Sequence, residues 1–180
     1  MAEAYVIDAV RTPRSIGKMG KGALSALHPQ HVAATVLKAL KDRNNLNTAD
    51  VDDIIWGTSA QMGQQGGDMG RMAALDAGYN QKASGVTLDR FCGSGITATN
   101  LAAGQIMSGM EDLVIAGGCE MMSYVTVFGG KIREAGLGSS GGMSNGNARL
   151  QAAHPQSHQG VCADAIAAKE GISRTALDAF

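Results

Sequence analysis

In the segment Asp89-Arg90-Phe91-Cys92-Gly93-Ser94-Gly95-Ile96-Thr97-Ala98, a thiol stands between two kinds of pattern. Before it, Val86-Thr87-Leu88 alternates as a short strand does; after it, small residues open a long stretch of helical character without charge. A cysteine at such a boundary faces the first N–H groups of a helix, which lack partners inside the helix, and the positive end of its dipole. Both favour the thiolate, the nucleophilic form of cysteine. Gly93 and Gly95 carry no Cβ, so another molecule can approach the backbone closely. The chemistry that suits this arrangement is covalent catalysis by Cys92.

The other reactive side chains have plainer readings. Cys119 follows an apolar run and Cys162 sits in an apolar helical segment, so both read as small hydrophobes. Three widely spaced cysteines suit reduced thiols in a cytosol-like compartment. His28 and His31 share a helical face, but no Cys or carboxylate pair accompanies them, which favours a helix-start or surface role over a metal site. Gly136-Leu137-Gly138-Ser139-Ser140-Gly141 spells G-x-G-x-x-G, yet it follows no strand and opens no helix, which argues against a dinucleotide. Lys131 and Arg133 read as solvated charge, and His158 on its own reads as a polar loop residue.

The elements that position Cys92 follow from periodicity. Tyr5-Val6-Ile7-Asp8-Ala9-Val10 reads as a strand ended by Arg11-Thr12-Pro13. Val32, Val36, Leu37 and Leu40 form a helical stripe over residues 29–43, with Pro29 in the first turn and Lys41 and Arg43 in the last. Residues 53–57 are a second strand, and residues 69–77 a short helix closed by Gly78. A third strand falls near 85–88, its direction left open, and the helix after Cys92 runs over about 94–107. Leu113-Val114-Ile115-Ala116, ending in Gly117-Gly118, reads as a strand buried on both faces. The order β-α-β-α-β-α-β places helices on both sides of a sheet. Residues 129–147 hold seven glycines and read as a long loop. Helical signals return at 162–169 and after Ser173, where Thr175 and Asp178 have capping-box spacing. The chain then stops on Phe180, as if cut within an element.

With 180 residues the chain can bury one good core. A net charge of −1 gives no basis for a nucleic-acid or anionic-membrane surface, and 4% aromatics are too few for a stacking platform. The charge-free window 91–110 contains Asn100, Gln105 and four glycines, so it reads as a buried helix and not a membrane span. The N-terminus has no basic region followed by an apolar one, so no secretory signal is visible.

Residues 6–13, 53–57, 89–98 and 113–123 occur in the order of the N-terminal blocks of thiolases, and Cys92 resembles their nucleophile. Ala116-Gly117-Gly118-Cys119-Glu120-Met121-Met122-Ser123 is similar to the AGG-x-E-x-MS segment that follows their catalytic helix, and His158-Gln159-Gly160 resembles their loop domain. Gly93 departs from the family, which commonly has Ser there; only a small residue is needed. The resemblance implies an α/β fold: the layered α-β-α N-terminal half of a thiolase over residues 1–120, with the start of an inserted loop domain over 121–180. It implies an acyl-CoA acyltransferase that forms or cleaves 3-ketoacyl-CoA through an acyl-enzyme on Cys92, with His158 lining the pantetheine channel. Acyl-CoA and CoA are the implied substrates, with no further cofactor, no metal, no nucleic acid and no membrane partner. A cytoplasmic homodimer or homotetramer is implied. The family's histidine base, second cysteine and water-holding asparagine come from a C-terminal half, and none of their motifs occurs here. Three alternatives remain. A ketoacyl-synthase-like enzyme would share the fold but normally has another cysteine block. A hydrolase with a nucleophile elbow needs glycine where Arg90 stands. A catalytically silent half-domain that pairs with a partner chain would differ by leaving Cys92 unacylated.

Overall fold

The structure, a computed structural model, describes residues 3–127 and 146–180. The chain separates into two units, Met1–Phe128 and Gly129–Phe180.

The first unit is organised by β1 (Asp53–Gly57), whose residues 54–57 are all buried. Such a strand must be covered on both faces, and its side chains alternate between them. Ile54 and Trp56 enter one apolar cluster with Ala33, Leu37, Met69 and Ala73, which lie on α1 (Pro29–Arg43) and α2 (Met69–Asp76). Ile55 points the other way, to Ala98 and Ala102 of α3 (Ser94–Ser108). On its two edges β1 pairs in parallel with β2 (Val86–Leu88) and β3 (Val114–Gly118), giving the order β2-β1-β3. The sheet is therefore wholly parallel, and the third expected strand is a parallel edge.

Local chemistry sets the element ends as the sequence suggests. Pro29 opens α1, where its missing N–H costs nothing, and the His28 ring accepts the Gln30 N–H at 3.3 Å. Gly78 follows α2 with φ +72°, a left-handed conformation that suits glycine. Between β1 and β3 the Asp52 carboxylate accepts the Asp112 and Leu113 N–H groups at 2.8 and 3.0 Å, and these bonds hold its pKa below the usual carboxylate value. The buried Tyr79 hydroxyl donates to the Leu37 carbonyl at 2.9 Å and ties α1 to the turn after α2. Burial pushes its pKa up to about 12.

Two strand expectations need correction. Residues 3–10 join no ladder, and Tyr5, Val6 and Ile7 are exposed. Apolar alternation specifies an extended chain, but only a neighbouring edge makes it a strand. Here a cavity of about 1000 Å³ is lined by this segment and by residues 112–123 of the β3 edge. Asp8 still anchors the segment to the end of α1, through Arg43 at 3.0 Å and the Asn44 amide at 2.9 Å. Second, β3 is covered on both faces but less completely than β1: Ile115 is buried in the cluster under α1 and α2, and Val114 and Ala116 are half-buried against α3.

In the first unit, residues 122–127 form a further helical segment, α4. The second unit contains α5 (Ala148–Ala153), α6 (Gln159–Lys169) and α7 (Arg174–Ala179). The sequence reading did not anticipate α5. α7 is capped by Ser173, whose hydroxyl accepts the Ala176 N–H at 3.1 Å, and not by Thr175. The expected loop 129–147, the glycine pattern 136–141, Lys131 and Arg133 fall within 128–145 and, apart from residues 146 and 147, lie outside the described residues. No helix among the described residues is long and apolar enough to cross a membrane.

One glycine makes the sheet's packing testable. A Cβ on Gly117 would stand 2.4 Å from Cζ3 of Trp56, whose side chain is fully enclosed. Gly117→Ala is expected to destabilise the protein by about 1–3 kcal/mol through overpacking. A lower urea midpoint with an unchanged slope is the expected measurement.

Candidate active site

The C-terminal ends of the three parallel strands form one edge of the sheet, the edge at which open α/β folds place their sites. β2 ends at Leu88 and α3 begins at Ser94, so Cys92 lies on the five-residue connection between them, as the sequence suggests. Its thiol is free and exposed.

The turn that carries Cys92 is tightly specified. The Asp89 carboxylate accepts the Phe91 N–H at 2.7 Å. Phe91 has φ +49°, an uncommon conformation for a residue with a bulky side chain. It is held there by the buried Ser94, whose hydroxyl accepts the Arg90 N–H at 2.8 Å and donates to the Phe91 carbonyl at 2.7 Å. Backbone bonds from Gly93 to Arg90 and from Ser94 to Phe91 close the turn. Such a conformation costs of order 1–3 kcal/mol, and these bonds offset it.

Gly57 brings β1 against this turn. A Cβ at Gly57 would lie 2.9 Å from the Ser94 carbonyl carbon and 3.0 Å from the Gly95 nitrogen. Only a residue without a side chain lets the start of α3 sit so close to the central strand. The N-cap of α3 is Gly93, which provides no side-chain acceptor, so no cap side chain stands over the first N–H groups of the helix beside Cys92.

The other expected residues separate clearly. Cys119 is half-buried against the cluster under α1 and α2. Burial, with a smaller contribution from the Glu120 charge, pushes its thiol up to about 11. It matches the small-hydrophobe reading. Cys162 does not: it is exposed on α6, within its own unit. His158 is the N-cap of α6, its Nδ1 accepting the Gly160 N–H at 3.1 Å. Cys92 belongs to the first unit and His158 to the second. His31 lies 3.2 Å from the Asp76 carboxylate, and no cluster of metal-ligating residues occurs among the described residues. Sequence reasoning missed Asp89, Ser94 and Gly57 as parts of the turn; the only signal was small and polar residues flanking the cysteine.

The thiols give a test with a definite sign. At pH 8, iodoacetamide is expected to label Cys92 readily and leave Cys119 largely unmodified in the folded protein. Because the Cys119 pKa is raised, its unfolded form ionises first. Its contribution to stability is therefore complete below the ordinary thiol value near 9 and is lost as pH rises toward 11. Peptide mapping after labelling from pH 8 to 11 measures this directly.

A family model described as the N-terminal domain of thiolase matches residues 4–180. A steroid 3-ketoacyl-CoA thiolase of Mycobacterium tuberculosis is 45% identical over 71% of this chain and 30% of its own length. A 3-oxoadipyl-CoA/3-oxo-5,6-dehydrosuberyl-CoA thiolase of Escherichia coli is 43% identical over 75% of this chain and 33% of its own. A 3-ketoacyl-CoA thiolase of Colwellia psychrerythraea aligns with the whole chain at 32% identity, covering 44% of its own length. The crystal structure of the Bacillus anthracis acetyl-CoA acetyltransferase superposes on 57% of this chain and 25% of that one. Its TM-score is 0.52 at 36% identity. The chain thus spans less than half the length of these relatives.

Proposed function

Because the chain belongs to the thiolase family, as its N-terminal domain, we propose that Cys92 is the residue that takes the acyl group in an acyl-CoA acyltransferase reaction. The observation that carries this reading is an exposed thiol held on a constrained turn between β2 and α3, at the C-terminal edge of a parallel sheet.

The Cys92 thiolate attacks the thioester carbonyl of an acyl-CoA, the tetrahedral intermediate collapses, and CoA leaves with its sulfur protonated. The acyl group then rests on Cys92 as a new thioester. Condensation follows when the α-carbon of a second acyl-CoA, after losing a proton, attacks that thioester and frees the cysteine. Thiolysis of a 3-ketoacyl-CoA is the same sequence reversed. The backbone N–H of Cys92 is one donor to the oxyanion of the acyl-enzyme step.

The acid/base groups for these proton transfers come, in this proposal, from a C-terminal half outside residues 1–180. Its support is the share of relatives that the chain covers and the apolar side chains left exposed on α3, among them Ile96, Leu101 and Met107. Coenzyme A thioesters serve as substrates without a further cofactor, His158 lines the pantetheine channel, and the enzyme is a cytoplasmic homodimer or homotetramer. The thiolase assignment is preferred over a ketoacyl-synthase type by the names of its relatives.

Two outcomes are expected. Incubating the full-length protein with acetyl-CoA and mapping its peptides places the acyl adduct on Cys92; an adduct on Cys119 or Cys162 with Cys92 clean refutes the reading. Cys92→Ser removes nearly all turnover, since a hydroxyl at neutral pH lacks the thiolate's nucleophilicity. Separately, residues 1–180 produced alone do not turn over acyl-CoA. Exposing a few hundred Å² of apolar surface at roughly 25 cal/mol per Å² costs several kcal/mol, comparable with a domain's stability. Assays of this piece, alone and mixed with the remaining polypeptide, measure thioester turnover in each case, and full activity of the piece alone overturns the claim.

A further inference from the structure

Beyond the Cys92 turn, the same edge of the sheet carries a second constraint, built from residues far apart in sequence. Thr58, which follows Gly57, is buried and bonds to both neighbouring strand ends. Its N–H donates to the Leu88 carbonyl at 3.1 Å and its hydroxyl to the Cys119 carbonyl at 3.0 Å. The next residues turn to Glu120. Its carboxylate accepts the Ser59 N–H at 2.8 Å and, through its other oxygen, the Ala60 N–H at 3.4 Å and the Gln65 amide at 2.8 Å. Gln65 is fully buried; it also donates to the Ala60 carbonyl at 3.0 Å and accepts the Met121 N–H at 2.7 Å. Further out, the Tyr124 hydroxyl accepts the Gln64 N–H at 2.8 Å.

These bonds converge on the loop 58–65. The loop begins where Gly57 touches Ser94, and Ser94 in turn holds Arg90 and Phe91 around the nucleophile. Leu88, which receives the Thr58 N–H, is four residues before Cys92. A shift of the loop therefore reaches the cysteine by two short routes, one through the Gly57–Ser94 contact and one through the end of β2. Glu120 is itself exposed, so it contributes to this arrangement through its charge and geometry and not through core packing.

We propose that Glu120 is a positioning residue: by clamping the loop 58–65 to the end of β3, it sets where Cys92 stands when it meets an acyl group. The inference rests on the proposed acylation of Cys92 and adds a residue that acts on it indirectly. A carboxylate is suited to the role because each of its oxygens accepts N–H donors. In Glu120→Gln one of them becomes an amide donor and faces another donor.

The test uses the full-length protein. Single-turnover acylation of Cys92 by acetyl-CoA is expected to slow by about ten- to a hundredfold in Glu120→Gln, the range that a misplacement near 1 Å produces. Alkylation of Cys92 by iodoacetamide, which needs no defined approach, stays within about twofold of wild type, and KM changes less than kcat. Glu120→Asp, which keeps the charge, restores part of the rate. Tyr124→Phe loosens the same loop at its exposed end and is expected to slow acylation by roughly threefold or more, which keeps the test open if Glu120→Gln folds poorly. A merely structural role would lower thermal stability and leave acylation per folded molecule at the wild-type rate; that result overturns the inference. Wild-type protein that takes no acyl group on Cys92 overturns the proposed function and this inference with it. Normal wild-type acylation with unaltered variants overturns this inference alone.

Discussion

The contact between Gly57 and the start of α3 is the constraint on which the rest of the site depends. β1 is buried on both faces, so its position is fixed by two apolar clusters that cannot shift independently. Its last residue has no side chain, and the Ser94 backbone occupies the space a Cβ would need. The position of the core is thereby handed directly to the turn that presents Cys92. A larger residue at 57 would not keep that relation.

The core and the reactive edge divide the work between different kinds of force. Under α1 and α2 the stabilisation is apolar burial, with Leu37, Ile54, Trp56 and Met69 nearly or fully enclosed. At the edge it is directional: Asp89, Ser94, Thr58, Gln65 and Glu120 hold backbone groups whose partners neither strand nor helix supplies. The two thiols nearest this edge show the result. Cys119, on the core side, is held protonated by burial, whereas Cys92, on the open side, is accessible.

Much of this was legible in the sequence where the signal is local. The α1 stripe with Pro29 at its start, the β1 run and the strand-to-helix setting of Cys92 each depend on neighbours a few residues away. What could not be read depends on partners distant in sequence. Residues 3–10 have a strand's composition, but composition does not name the edge they would pair with. The degree to which β3 is enclosed depends on the helices that pack over its two faces. Ser173 and Thr175 both have N-cap chemistry, and backbone geometry chose between them. Glu120 and Gln65 are 55 positions apart, beyond any spacing rule.

The parallel ladder between β1 and β3 has a consequence for synthesis on the ribosome. Asp53 pairs with Val114, so the central strand cannot gain its second neighbour until some sixty further residues have been translated. At about 5–20 residues per second this interval lasts roughly 3–12 s, during which Ile54 and Trp56 depend for cover on α1 and α2 alone. Those two helices are encoded close on either side of β1, so the nascent chain can shield one face of the strand early. The other face, with Ile55, waits for α3, so it stays open to water or a chaperone until that helix has been made.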